Sequence, residues 1–194
     1  MMSFWSERAS RYSTKMTFGA IWGHLGNGSI LWTARFAFLF YAGALAAWLT
    51  GRAGAARSAW TLGLLIYLSH VTAAFQFHHH WSHAAAYEET ARRTAELLSV
   101  RSGAGLYFNY AFTAVWTFDV IWLWTSAETY RAQPHWIAVA IHSFMAFLFF
   151  NATVVFVSGW VRWLGLTAAL ALCLLAWHSR AHLTSGDSRK RPEM

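Results

Sequence analysis

Apolar runs of about 20 residues recur along this chain, and that spacing limits its fold more than any other feature. A run of this length crosses the hydrocarbon of a bilayer as a helix, where each backbone polar group must be satisfied within its own segment. The runs lie at about Ile30 to Thr50, Trp60 to Phe77, Leu106 to Trp124, Trp136 to Val157 and Trp160 to Trp177. Of 194 residues, 57% are hydrophobic and only 12% charged, roughly half the charge of an ordinary soluble domain. So small a chain has no core large enough to hide that much apolar surface from water. The expected fold class is therefore all-α: a polytopic integral membrane bundle of about five transmembrane helices with one interfacial amphipathic helix.

Tryptophan marks the edges. Trp32, Trp48, Trp60, Trp81, Trp122, Trp124, Trp136, Trp160, Trp163 and Trp177 fall near the ends of runs, where an interfacial belt places such rings. Between the second and third runs, residues 83–100 read as a helix of mixed faces. Its pairs Glu88–Arg92 and Glu89–Arg93 stand at i,i+4, as in a helix lying on the membrane surface. Ser102-Gly103-Ala104-Gly105 then breaks it. The expected organisation is an interfacial segment at 1–29, a transmembrane domain at 30–178 and a basic disordered tail at 179–194. The N-terminal residues hold no uninterrupted apolar stretch of the kind a cleavable signal peptide needs.

The formal charge is +7, but the basic residues sit between the apolar runs rather than along a stripe. Anionic lipid headgroups account for them, and no recognition motif points to nucleic acid. With five spans the termini fall on opposite sides. Counting Lys and Arg close to span ends leans towards a cytoplasmic C-terminus, in a bacterial-type inner membrane. Cys173 is the single cysteine, so no intrachain disulfide or thiolate metal site can form.

Chemistry concentrates first in Phe77-His78-His79-His80-Trp81-Ser82-His83, four histidines in six residues at the edge of a run. If the helix continues through His83, His79 and His83 at i,i+4 share a face with His80 close by, the spacing helical metal sites use. Imidazole ligands suit a transition metal such as Zn, Fe or Cu. Glu88 and Glu89 follow closely and would serve as a base for metal-activated water. Asn109 and Asn151 fall at a similar depth and are expected to support the same layer.

Asp119 and His142 interrupt the third and fourth runs. An ionisable group at that depth faces a partner or a cavity, because lipid offers it none. Both lie about 20 Å from the N-terminal face at 1.5 Å per residue, so a hydrogen bond between them is geometrically open. His70 lies nearly opposite His79 around its helix and is not expected to share an ion with it; paired with His142 it is a candidate for haem.

Three functions are consistent with this pattern. The first is a metal-dependent hydrolase or oxidase acting on a lipid-like substrate at one membrane face. The second is an electron-transfer subunit binding haem or a quinone. The third is a non-enzymatic transport or assembly subunit in which Asp119 and His142 form an intramembrane pair. The expected partners are membrane lipids, a lipid-like small molecule, and a second copy or another membrane subunit.

Overall fold

The computed structural model describes Gly28, residues 30–155 and residues 159–188, and among these there is no strand. Helix α1 covers Ile30–Leu49. Helix α2 covers Ala53–Ala74 and passes into one wider π-helical turn at Phe75–His79. Helices α3 (His83–Leu98), α4 (Gly105–Thr125) and α5 (Ala127–Arg131) follow. Helix α6 (His135–Phe150) likewise ends in a π-helical turn, Asn151–Val155, and α7 covers Trp160–Ser188. Three helical stretches, Ile30–Leu49, Ala53–His79 and His135–Val155, are long and apolar enough to cross a bilayer.

Two boundaries differ from expectation. The second helix begins at Ala53 rather than near Trp60, because Ala53–Ala59 is rich in alanine, the strongest helix former. Its one charge, Arg57, is accommodated by stacking 3.5 Å over the Trp124 ring. At the other end α7 runs on to Ser188, well into the expected tail. The Ser179 hydroxyl donates to the Leu49 carbonyl at 3.0 Å, satisfying a group that the end of α1 leaves without a helical partner. The expected N-terminal segment, apart from Gly28, and residues 189–194 lie outside the described residues.

The core is aromatic. Tyr41 of α1, Trp60 of α2, Phe112 and Trp116 of α4 and Phe149 of α6 meet in one cluster, joined by Met145, which is fully buried. Trp60 and Trp116 lie 5.0 Å apart between ring centroids, and Tyr41 and Phe149 4.4 Å, at the tilted geometries that the ring quadrupoles favour. The α2–α4 crossing is set by Gly63, where a Cβ would stand 2.9 Å from the Trp116 ring. By contrast, Leu39, Leu65, Phe118 and Phe147 are more than half exposed. A rim of this kind is stable against acyl chains and not against water.

Candidate functional site

The histidine cluster does not lie on one helix. The chain turns at His80 (φ 47°) and Trp81 (φ 59°), both in the left-handed region, where a bulky L-residue is strained. Trp81 Nε1 donates to Gln76 Oε1 at 2.9 Å, and Ser82 Oγ accepts from the Ala85 amide to start α3. His79 therefore closes α2 while His83 opens α3. The expected i,i+4 pair is absent, and among the described residues no three His, Cys, Asp or Glu side chains converge to hold an ion. His80 is exposed. His83 Nδ1 hydrogen-bonds the Tyr110 hydroxyl at 3.0 Å, and its ring is flanked by Tyr107 and Tyr110 at 5.9 and 5.8 Å.

Glu88 and Glu89 are committed to arginines rather than to a water. Glu89 accepts from Arg92 Nη2 (2.7 Å) and Nε (3.0 Å) and from Arg93 Nε (2.8 Å), and Glu88 pairs with Arg101. The Arg92 hydrogen bonds, foremost, hold the Glu89 carboxyl down at about 2. A carboxylate that acidic is a weak general base at neutral pH.

Asp119 is 1% exposed, the one buried charged or polar side chain of the described core. It meets two donors, Trp60 Nε1 at 2.8 Å and the Tyr130 hydroxyl at 3.2 Å, both on the same carboxylate oxygen. The direct bond to His142 is not formed. Trp60 stands between the two, giving its N–H to Asp119 and its ring to His142, whose imidazole lies edge-on at 5.2 Å and also 5.0 Å from Trp48. His142 Nδ1 is buried and has no hydrogen-bond partner. Its backbone carbonyl accepts from the Tyr41 hydroxyl at 3.4 Å.

His70 serves the α1–α2 contact, with Nδ1 on the Ile30 carbonyl at 2.9 Å; because a carbonyl only accepts, that nitrogen carries the proton. His70 cannot share an iron with His142. The rise along α2 from Trp60, where His142 packs, to His70 is about 15 Å, whereas two imidazoles on one metal stand about 4 Å apart at roughly 2 Å per bond. Asn151 Nδ2 turns back to the Phe147 carbonyl of its own helix at 2.7 Å, and Asn109 is exposed on α4. Neither meets the histidines through a hydrogen bond.

What the geometry does bring together is a cleft of about 1040 Å³ between α1, α6 and α7. Tyr130, Gln133 and His135 bring polar groups to the end where α5 meets α6, His142 and Ser143 follow one to two turns further along α6, and Tyr41 and Thr153 add hydroxyls beyond them. Phe38, Leu45, Ala146, Phe149, Ala169 and Leu172 belong to the apolar remainder. Gln133 Oε1, like His142 Nδ1, is buried without a hydrogen-bond partner. Trp60 and Tyr130 were not among the sequence-derived candidates: Trp60 reads as a belt residue and Tyr130 as part of a loop. A buried Asp requires donors, and an indole one helix away is among the few that an apolar bundle offers.

The chain matches no protein-family model, no curated protein and no solved structure.

Proposed function

We propose that this is a five-span integral membrane protein that binds a lipophilic small molecule with a polar ring head, of the quinone class, in the α1–α6–α7 cleft. The observation that carries the reading is the cleft itself. Its volume is that of a ligand site, and most of its polar side chains, Tyr130, Gln133, His135, His142 and Ser143, come from α5 and the first half of α6, facing largely apolar walls. An imidazole, an amide and a serine hydroxyl suit the carbonyl or hydroxyl of such a head, and the apolar walls suit its tail.

Packing supports the reading of five spans. Helix α4, 21 residues long, covers about 30 Å and packs against both α2 and α6. Helix α7 touches the end of α6 through Arg162 Nε on the Val154 carbonyl and reaches the end of α1 through Ser179. It thus runs beside the bundle from one end to the other. The charge count supports a cytoplasmic C-terminus in a bacterial-type inner membrane.

Trp48 and Trp60 flank His142, so occupancy has a direct optical readout. Protein in lipid nanodiscs titrated with a short-tailed benzoquinone is expected to show saturable quenching of tryptophan fluorescence. Ala169→Phe, which fills the cleft, is expected to abolish the saturable part with helicity unchanged. Quenching that rises linearly and equally in both proteins overturns the reading.

A further inference from the structure

A second depression, of about 570 Å³, lies at the opposite end of α2, between its last turn and α3. His78 and His79 line it from α2, Glu88, Glu89, Arg92 and Arg93 from α3, and Arg101 from the segment before α4. Three guanidiniums thus face two carboxylates, with two imidazoles beside them. We propose that this groove binds a phosphate monoester group, carried by a lipid headgroup or by a small water-soluble molecule.

The placement of the arginines supports this. Glu89 takes both Arg92 nitrogens that face it, but from Arg93 it takes only Nε. The two terminal nitrogens of Arg93 have no carboxylate among the described residues. Arg101 likewise meets Glu88 through Nη2 alone. A guanidinium presents several donors in one plane, a fork that matches a phosphate's oxygens and that a single carboxylate contact does not exhaust. Glu89 on Arg93 of α3 and Glu88 on Arg101 of the following segment each occupy one nitrogen of the guanidinium, so the carboxylates compete with an incoming anion without using up its donors. His79 is half-buried in the groove wall, and an imidazole adds a further N–H donor.

Depth points to the same chemistry. The candidate span Ala53–His79 ends at this groove, which sets the guanidiniums where a bilayer carries its phosphates. Trp81, Leu97, Leu98 and Val100 are exposed around it, giving the region an apolar border suited to the headgroup boundary.

The test uses full-length protein purified in a phosphate-free, uncharged detergent. Native mass spectrometry with phosphatidic acid and equilibrium dialysis with glycerol phosphate measure the two sources of the group. Saturable binding of one molecule per chain is expected from at least one of them, weakened tenfold or more in Arg93→Gln/Arg101→Gln and unchanged in Arg131→Gln. Glu88→Gln, which releases Arg101, is expected to tighten binding and so covers the case in which the double variant misfolds. Phosphatidic acid alone binding assigns a lipid headgroup; glycerol phosphate binding assigns a soluble ligand. No saturable binding of either, or binding that neither arginine loss nor Glu88→Gln alters, overturns the proposal.

Discussion

The bundle holds Asp119 and the four clustered histidines in opposite ways. Asp119 is a single carboxyl, withdrawn from solvent, on which two side chains from different helices converge. The histidines crowd together in sequence yet end on two helices, His79 turned to the arginine groove and His83 to a tyrosine pair. Density along the chain is thus a poor guide to convergence in space. Burial is a better one, since an isolated polar group in an apolar bundle must recruit partners wherever they stand.

The contrast breaks most visibly at Trp60. Trp60→Ala removes the ring shared by Tyr41, Trp48, Trp116 and His142 and is expected to cost about 3–5 kcal/mol, read as a loss of unfolding free energy in mixed micelles. Asp119→Leu leaves an indole N–H and a phenol O–H without an acceptor, at about 1–3 kcal/mol for each. Asp119→Asn keeps an oxygen for both donors and should fall under about 1 kcal/mol. Should the two Asp119 variants prove equally damaging, the negative charge matters and not the hydrogen bonds alone.

At the histidine end the same scale should register little. His83→Ala, at an exposed position, is expected within about 0.5 kcal/mol of the parent, and His79→Ala, half-buried and outside the aromatic core, within about 1 kcal/mol. Elemental analysis finding one metal ion per chain, lost from the double variant, would reverse the contrast drawn here.

The smallest effect is pH. The Glu89 carboxyl is lowered from its usual 4.5 to about 2 by its arginine bonds. Its stabilising contribution is therefore complete above the usual value and lost as pH falls from about 4.5 towards 2. Amide exchange in α3 should accelerate across that window and stay flat at neutral pH.

Much of the helix layout was legible because hydrophobic length is a property of contiguous residues. The apolar stretches now seen in Ile30–Leu49, Ala53–His79 and His135–Val155, and the break before Gly105, follow from local composition. The start of α2 was misplaced because Gly54, Arg57 and Ser58 lower the hydropathy of the stretch before Trp60. The i,i+4 arrangement of His79 and His83 is not formed for a sharper reason: it required one helix to continue through His83, and two left-handed residues turn the backbone before it. Asp119 was singled out correctly as a residue needing a partner, but its donors, from α2 and α5, are set by packing that no local pattern encodes. The cleft was invisible in the sequence for the same cause, since its walls come from α1, α6 and α7.

Tyr130 belongs to the short turn between α4 and α6, outside the apolar runs, yet its hydroxyl reaches a carboxyl among the helices. The turn behaves as a stopper with its stem in the neck of a bottle. Displacing that turn would take away one of the two donors that Asp119 has in the core.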